Sequence, residues 1–429
     1  MEFMDMNDDC QEHVFRFLDL TSVCTISDTC RQLRRIAERI FKRHRFYKCQ
    51  IGNEVNVKVS SKIIRKIGQY LRSLHLEFYP IDPEVYAANG IGCRFLSLLN
   101  VSLGQQFCEL KLSGGEISSF PILRLAPTFL KLQKLSIYCE DSDDNSFAND
   151  YAASFIDLPQ LCPNLRVLSI ENCALIFAPN PNKSFRHLEA LEFHSFGKYY
   201  PIALLECFLR QNKQLRRLYV DTIVYDDSST YIDLAIVANN LRGLEELRIR
   251  TNVFDNCVQA IRDFSGMHHL TTLAFSEYLE TVYELNDILD VLKTMKQLKK
   301  ILIGWCFPDE IPNQQAIINI ANELKQLETF HVDLQCDENT IIECVRFGRS
   351  LKRFCVAFRS DRVVTTTFIE HLAKMRESVG IYHPLLLYFT GVKLTGDVSK
   401  VIKAPDVARH LKWKVMRNAS FDLFERFSK

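Results

Sequence analysis

A pattern of apolar positions, apolar-x-x-apolar-x-apolar, recurs along most of the chain. Eleven copies occur, and the ten intervals from Leu71 to Leu351 cover 280 residues, a mean spacing of 28. The last four residues of each copy alternate between apolar and mostly polar side chains, which is typical of a short strand with one buried face. The copies begin at Leu71, Phe107, Leu132, Leu165, Leu188, Leu215, Leu244, Leu270, Leu298, Leu327 and Leu351.

The segments between the copies carry apolar residues at the spacing of an amphipathic helix. This i, i+3, i+4, i+7 spacing is clearest in residues 234–241, 285–292 and 317–324. A strand followed by a helix, many times over, predicts a parallel sheet. Because helices need more room than strands, we expect a curved sheet with the helices on its outer side. One strand-helix unit cannot bury its own apolar face, whereas a stack of units can.

This arrangement resembles the leucine-rich-repeat family, whose period is about 20–29 residues. In that family an Asn or Cys follows the last apolar position by three residues, and Cys173, Asn252 and Cys306 match that place here. The resemblance implies an α/β leucine-rich-repeat solenoid over residues 51–360. An acidic run at residues 140–144 falls in a long interval and is interpreted as a loop insertion. An ordinary α/β domain, the alternative, does not account for eleven copies.

The first fifty residues follow a different pattern, which predicts three short helices in residues 7–50. Asn7 or Asp8 can cap the first helix, and Thr21 or Ser22 the second. Residues 1–28 hold seven acidic and one basic residue, whereas residues 29–50 hold eight basic and one acidic. A domain of this size has little core of its own, so we expect it to lean on the repeats or on a partner. The first helix has one apolar face, formed by Cys10, Val14, Phe17 and Leu18.

Residues 5–50 resemble an F-box, whose pattern is approximately Leu-Pro-x-Glu-apolar-apolar-x-x-Ile-Phe-x-x-Leu, followed by Cys-Arg-x-Trp-Arg-x-apolar. The matching segments are Met6–Leu20 and Thr29–Ala37. Three positions depart from the family: Asn7 replaces Pro, Gln11 replaces leucine and Leu33 replaces Trp. Gln11 is expected to place a polar group near the family's interface and to weaken it, whereas Leu33 keeps an apolar side chain.

The resemblance implies a partner. F-boxes of this family bind the Skp adaptor, which links them to a cullin-RING ubiquitin ligase. The alternative is that the same apolar residues form the core of the small domain. Carried over by position, the adaptor contacts would come from Met6, Cys10, Val14, Phe15, Leu18, Leu20, Val23 and Leu33.

The outward side chains of the predicted strands form a second candidate surface, for a target protein. Tyrosine and arginine are favoured anchors in protein interfaces. These positions mix both signs of charge, which favours a folded protein or a polar peptide as the ligand; ordinary solvated residues are the alternative. The predicted target-binding residues are Tyr138, Glu192, His194, Tyr219, Asp221, Arg248 and Arg250.

Composition narrows the choice of function further. The 429 residues hold 53 Lys+Arg and 52 Asp+Glu, a net charge of +1, which argues against a dedicated nucleic-acid binder. A basic cluster at residues 31–48 is the solvated face of the third helix, a nuclear-import signal or an RNA-contacting patch. No apolar run is long enough to span a membrane, and 15 scattered cysteines favour a reducing compartment, cytoplasm or nucleus.

No catalytic, metal or cofactor motif stands out in the sequence, so we expect neither a metal nor a cofactor, and no enzyme. Residues 361–429 lose the repeat and are interpreted as a C-terminal cap and tail. The favoured hypothesis is a substrate receptor of a Skp–cullin–F-box ubiquitin ligase that acts by proximity alone. The alternatives are a ligase-independent interaction scaffold and, with less support, an RNA-processing adaptor.

Overall fold

The computed structural model describes residues 3, 6–79, 90–114, 122–138, 158–171, 184–196, 202–223, 234–251, 257–277, 282–305, 313–357, 363–381, 383–390, 393–394 and 397–416. The chain divides into two compact units, Met1–Asn212 and Lys213–Lys429. The acidic run at 140–144, the predicted turn residues Cys173, Asn252 and Cys306, and residues 417–429 lie outside the described residues.

The first unit begins with three helices and continues as strands that alternate with helices. Its helices are α1 (Asp8–Phe15), α2 (Leu20–Ser27), α3 (Arg31–Phe41), α4 (Glu54–Ile67), α5 (Ile91–Ser102), α6 (Ala126–Phe129), α7 (Leu158–Leu161) and α8 (Ile202–Gln211). Its strands are β1 (Phe46–Ile51), β2 (Ser73–Phe78), β3 (Glu109–Gly114), β4 (Lys134–Tyr138), β5 (Val167–Glu171) and β6 (Ala190–Phe196). From β1 to β6, each strand pairs in parallel with the next along the chain.

The second unit repeats the alternation of strand and helix. Its helices are α9 (Ala235–Asn240), α10 (Cys257–Phe264), α11 (Val282–Leu292), α12 (Gln314–Glu323), α13 (Glu338–Phe347), α14 (Thr366–Ser378), α15 (Val398–Val401) and α16 (Pro405–His410). Its strands are β7 (Arg217–Ile223), β8 (Glu246–Thr251), β9 (Thr272–Glu277), β10 (Lys300–Trp305), β11 (Thr329–Gln335), β12 (Arg353–Ala357), β13 (Val363–Val364), β14 (Leu385–Thr390), β15 (Lys393–Leu394) and β16 (Leu411–Met416). Parallel pairing runs from β7 to β12 in chain order and then through β14 to β16, while β13 pairs with β15.

The eleven predicted copies supply the strands β2 to β12, one copy to each strand. In the first unit the same position of five copies lies in one register, which stacks Leu74, Leu110, Leu135, Leu168 and Leu191. All five leucines are buried. A row of this kind exists only if successive repeats stack, because a single strand-helix unit has no partner for its apolar face. The predicted α/β leucine-rich-repeat solenoid is therefore confirmed.

The predicted helices lie between the strands and bury the residues that the periodicity selects. Residues 234–241, 285–292 and 317–324 correspond to α9, α11 and α12. In α12 the buried positions are Ala316, Ile317, Ile320 and Ala321, and the side chain of Asn313 caps the helix by accepting from the backbone N–H of Gln315.

The parallel sheet extends beyond residues 51–360 at both ends. β1 pairs with β2 between Phe46 and Ile51, inside the segment that the sequence assigned to the first domain. β14 and β16 continue the pairing after β12. β1 lacks the repeated leucines and buries Cys49 and Ile51 instead. A strand of a solenoid needs one alternating buried face, and cysteine, isoleucine or phenylalanine can provide it as well as leucine.

The three-helix domain leans on the first repeat, as its small size predicts. α2 packs against α4. Lys66 Nζ lies 2.5 Å from Asp28 Oδ1, and Lys62 Nζ donates to Thr25 Oγ1 at 3.2 Å. These contacts join the helices before β1 to the helix that follows it.

Candidate functional site

Helix α1 exposes its apolar face and buries part of its polar face. Val14, Phe17 and Leu18 are 41 %, 79 % and 36 % exposed, and Cys10 on the same side is also exposed. Within the described chain, the ring of Phe17 contacts that of His13 edge-on, with 5.2 Å between centroids. We call Cys10, Val14, Phe17 and Leu18 the α1 patch. Large apolar side chains grouped on one exposed face mark an interaction surface.

Gln11 and Asn7 organise the start of α1 rather than the exposed patch. The Asn7 side chain caps the helix by accepting from the backbone N–H of Cys10 at 2.8 Å, as predicted. Gln11 is fully buried, and its Nε2 donates to the carbonyls of Phe3 (2.8 Å) and Met6 (3.1 Å). The amide of Gln11 is thus bound within the domain and anchors the preceding segment, and its effect on adaptor binding stays a prediction.

Glu12 is the second buried polar residue of α1, and basic residues hold it from two helices. Its carboxylate accepts from Arg16 at 3.0 Å and lies 2.5 Å from Arg43 Nη1. The hydrogen bond from Arg16 and the charge of Arg43 lower the pKa of Glu12 despite the opposing effect of burial. Arg39 on α3 contacts both Glu12 and Asp8. The polar face of α1 is thus fixed to α3, which leaves the apolar patch turned away from the domain.

A cavity of about 280 Å³ opens beside the α1 patch. Its lining residues come from the end of α1, from α2 and from α3. They are Phe15, Arg16, Leu18, Leu20, Val23, Ile40, Arg43 and His44. Leu18 belongs to both the patch and the cavity, so the two features form one continuous apolar surface with a recess in it.

The eight predicted adaptor contacts divide into two groups. Cys10, Val14 and Leu18 are exposed, and Met6, Leu20 and Leu33 are half-buried. Phe15 and Val23 are buried in the core of the small domain, as the alternative hypothesis expected of these residues, and reach the surface only as the floor of the cavity. Phe17 is the most exposed large apolar residue of the α1 patch. It was absent from the predicted adaptor contacts, although the same periodicity places it on this face.

The second helix begins differently from the prediction. Asp19, not Thr21 or Ser22, caps α2, and its carboxylate accepts from the backbone N–H of Ser22 at 2.8 Å. This hydrogen bond lowers the pKa of Asp19. The cap fixes the turn between Leu18 and Leu20, and with it the relative position of the patch and the cavity.

The basic cluster of residues 31–48 is partly neutralised inside the chain. Arg35 and Arg39 contact Asp8, and Lys48 contacts Glu77 at 2.9 Å. The charge segregation in the sequence therefore corresponds to pairing between the acidic α1 and the basic α3, as expected for a helix face that packs against another helix.

The strand residues predicted to bind a target protein are half-buried in the first unit. Tyr138, Glu192 and His194 lie on β4 and β6 and are partly accessible. Glu171 of β5 and His194 are direct neighbours in the sheet register. Polar side chains dominate this face, including His75, whose ring nitrogen lies 2.7 Å from Ser113 Oγ.

In the second unit the predicted target-binding residues contact one another. Asp221 is 1 % exposed and faces Arg250 in the register of β7 and β8. Arg250 Nε donates to Asp221 Oδ1 at 2.6 Å, and a second guanidinium nitrogen contacts Oδ2. Tyr219 donates to Asp221 at 3.3 Å, and Arg248 Nε donates to Glu246 at 2.5 Å. Burial raises the pKa of Tyr219. This group fixes β7 against β8, and Asp221 is inaccessible to a ligand as it stands.

Further along the second unit, the outward positions of the strands are buried. Ala274 and Leu302, at outward positions of β9 and β10, form a buried cluster against which Tyr219 packs. His331 on β11 lies in register between Leu302 and Cys355 and is 4 % exposed. Within the part of the chain that the structure describes, its Nδ1 has no hydrogen-bond partner, and burial lowers the pKa of His331 to about 4. Ala274, Leu302 and His331 are therefore not accessible to a target protein.

Comparison with known proteins supports the identity of the first domain. The pattern of the F-box domain matches residues 3–44, which cover α1, α2 and α3. No curated protein matches the chain.

Two solved structures resemble the chain in fold. One is the leucine-rich repeat-containing protein LegL7 from Legionella pneumophila, with 12 % identity over 78 % of this chain and 98 % of that one, at a TM-score of 0.43. The other is TLR13 in its complex with ssRNA13, with 15 % identity over 88 % of this chain and 56 % of that one, at a TM-score of 0.32. Both TM-scores are low, so these two structures carry no argument for the fold. The solenoid fold is established by the parallel pairing of strands within the chain itself.

Two features that would indicate other classes of function, a membrane-spanning helix and a metal-binding cluster, are absent from the described residues. Among them, no helix has the length and apolar character that crossing a bilayer requires. No cluster of three or more His, Cys, Asp or Glu side chains in the same ranges has the geometry to hold a metal ion.

The chain thus joins an F-box domain at residues 3–44 to a leucine-rich-repeat solenoid, and the F-box exposes the apolar side chains of Val14, Phe17 and Leu18.

Proposed function

We propose that this protein is the substrate-recognition subunit of a Skp–cullin–F-box ubiquitin ligase, acting in the cytoplasm or nucleus. The α1 patch and the cavity beside it would bind the Skp adaptor, and the repeats would hold a target protein. The chain itself would carry out no bond chemistry, since holding two proteins together raises their effective concentration.

The observation that carries the proposal is the orientation of α1. A small domain with few apolar residues gains most by burying them, yet α1 buries Gln11 and Glu12 beside Phe15, while Val14 and, in the turn after the helix, Phe17 and Leu18 stay exposed. The polar network with α3 holds this orientation in place. An F-box that binds a partner through this face would bury the patch in the complex, and the cavity would accept a side chain of the partner.

The target-binding part of the proposal rests on the repeats of the first unit. Tyr138 on β4 and Glu192 and His194 on β6, with β5 between the two strands, are partly accessible and present both acidic and basic groups. Such a surface suits a folded protein with mixed charge.

Co-purification with the Skp adaptor tests the first part. We expect the full-length wild-type chain to form a stoichiometric complex, and the double variant Val14→Asp, Leu18→Asp to bind roughly 100-fold more weakly or not at all. Two charges in a desolvated apolar contact would remain unpaired, which is the reason for the large effect.

A matched control carries the same two charges elsewhere. Val55 and Val101 are exposed valines on α4 and at α5, outside the F-box, and the variant Val55→Asp, Val101→Asp should bind as the wild type does. Equal thermal stability of both double variants shows that the F-box remains folded. A folded wild-type chain that does not bind the adaptor would refute the ligase assignment and favour a ligase-independent interaction scaffold.

A further inference from the structure

A polar pocket of about 520 Å³ lies in the first unit, at the edge of the sheet where the strands begin. Three cationic side chains, three amides, a phenylalanine and a thiol belong to its wall. We call it the edge pocket and define it by Arg45, Arg72, Gln106, Cys108, Lys131 and Gln133. The α1 patch and the cavity beside it share no residue with it, so it is a separate feature from the proposed adaptor surface.

Repeat geometry places the two arginines side by side. The carbonyl of Arg45 accepts from the backbone N–H groups of Arg72 (2.8 Å) and Ser73 (2.9 Å). The carbonyl of Arg72 accepts in the same way from Cys108 and Glu109. Arg45, Arg72 and Cys108 therefore hold the same position in successive repeats, one strand spacing of about 4.8 Å apart. Two like charges at adjacent positions repel each other unless an anion lies between them.

The same edge position is neutralised in other repeats. Arg166 contacts Glu189 at 3.0 Å, and Arg216 contacts Glu245 at 3.2 Å. In each pair the glutamate holds the edge position of the following repeat, since its backbone N–H donates to the carbonyl of the arginine. Lys352 and Glu328 form a third such pair.

The edge pocket lacks this compensation. None of the residues that line it is acidic. Glu109, which follows Cys108 in sequence, lies 3.3 Å from Lys134 Nζ instead. Within the described ranges, the Arg72 side chain makes no hydrogen bond or ion pair.

Two of the cations are already held in place by the ends of the preceding helical segments. Arg45 Nη1 donates to the carbonyl of Tyr70 at 3.3 Å and to Gln106 Oε1 at 2.7 Å. Lys131 Nζ donates to the carbonyl of Leu103 at 3.0 Å. These neutral acceptors position the cations without cancelling their charge, so the pocket is preorganised for an anion.

We propose that the edge pocket binds a phosphorylated small molecule, with Arg45, Arg72 and Lys131 as the groups that contact its phosphoryl oxygens. A guanidinium group matches phosphate geometry with two parallel hydrogen bonds. The volume falls in the range of small-molecule pockets, roughly 300–1,000 Å³. It exceeds the needs of one phosphate ion, and three cations balance more charge than one phosphoryl group carries. The ligand therefore has at least two phosphoryl groups.

Calorimetric titration of the full-length chain with pyrophosphate, at an ionic strength fixed with sodium chloride, tests this site. The variant Arg72→Gln should weaken pyrophosphate binding roughly ten- to 100-fold, since it removes a charge-assisted contact. The control Arg166→Gln removes a cation from the same position of a repeat outside the pocket, and we expect it to bind pyrophosphate as the wild type does. Equal affinities in wild type and Arg72→Gln, or no binding by the wild type, would overturn the proposal.

Cys108 provides an independent readout within the pocket. Bound pyrophosphate should slow alkylation of Cys108 by iodoacetamide at least roughly five-fold, while Cys207 on α8, which is also half-buried, should react at an unchanged rate. An unchanged rate at Cys108 under saturating pyrophosphate would contradict binding at this place.

O-phosphoserine, which carries a single phosphoryl group, separates a small polyphosphorylated ligand from a phosphorylated protein side chain. Tighter binding of pyrophosphate supports the proposal, and tighter binding of O-phosphoserine overturns it. Because the edge pocket is distinct from the F-box surface, failure of either proposal leaves the other unaffected.

Discussion

Helices α1 and α12 begin in the same way and differ in how they treat polar and apolar residues. Each has an asparagine cap, Asn7 or Asn313, whose side chain accepts from a backbone N–H of the first turn. α12 buries alanine and isoleucine and packs against both α11 and α13. α1 buries the polar Gln11 and Glu12 together with Phe15, leaves the α1 patch exposed, and packs against α3. The repeat helix finds cover for its apolar face in its neighbours, whereas the F-box helix has no such neighbour within the described chain.

This difference indicates where each part of the molecule obtains its stability. Stacked repeats satisfy one another, so the solenoid needs no second protein to cover its helices. The F-box keeps its apolar face for another surface and holds its orientation through charged contacts with α3. Substitution of buried apolar residues in the repeats should therefore affect stability, and substitution in the α1 patch should affect binding.

The largest effect on stability is expected for Ile317→Ala in α12. Ile317 is completely buried, and removal of a buried isoleucine side chain costs about 2–5 kcal/mol in the free energy of unfolding. Chemical denaturation of the full chain measures this loss. The matched change in α1 is Phe17→Ala, which should alter the unfolding free energy by less than about 0.5 kcal/mol while weakening adaptor binding. A comparable loss of stability in both variants would abolish the distinction between the two helices.

A smaller effect, dependent on pH, is expected from His331 in the repeats. Its folded pKa of about 4 lies below its ordinary value of 6.5, so the unfolded chain binds a proton in this range and the folded chain does not. The unfolding free energy should then fall by about 3 kcal/mol as the pH drops from 6.5 to 4, with no further loss from this group below 4.

The variant His331→Leu isolates this contribution, because the other titrating groups remain in both proteins. We expect its unfolding free energy to fall less steeply than that of the wild type between pH 6.5 and 4, as measured by denaturant titration at several pH values. Parallel pH profiles for the two proteins would show that His331 is not held neutral in the folded chain.

The smallest effect is expected at the cap of α1. Asn7→Ala removes the acceptor for the backbone N–H of Cys10 and should cost about 1 kcal/mol of stability. Because the side chain lies outside the α1 patch, the affinity for the adaptor should change little. A strong loss of affinity with unchanged stability would place Asn7 in the interface instead.

Much of the fold follows from the periodicity of the sequence, because the eleven copies mark the buried faces of β2 to β12. The strand β1 escaped the pattern because Cys49 and Ile51 stand where the repeats have leucines. β14 keeps buried leucines at 385 and 387, but it follows β12 after a longer segment than the repeat period. The register of β7 and β8 aligns Asp221 with Arg250 on adjacent strands. The repeat pattern predicts that both residues face outward, but it did not reveal that they contact each other.

The orientation of α1 could not be predicted with the same certainty. Its periodicity identifies the apolar face, but the same pattern describes a buried core and an exposed interface equally well. Glu12 and Gln11 determine which face of α1 is turned inward. Their partners, Arg43, Phe3 and Met6, are specified by the tertiary structure. The burial of Ala274 and Leu302 likewise depends on packing that a strand pattern does not contain.

Amide hydrogen exchange of the full chain, alone and in complex with the Skp adaptor, tests the central claim most directly. We predict that the adaptor slows exchange in residues 8–18 and around Leu20, while exchange in α12 stays unchanged. Unchanged exchange throughout α1 in a stoichiometric complex, with protection confined to the repeats, would contradict the claim that the exposed apolar face of the F-box is the adaptor-binding surface.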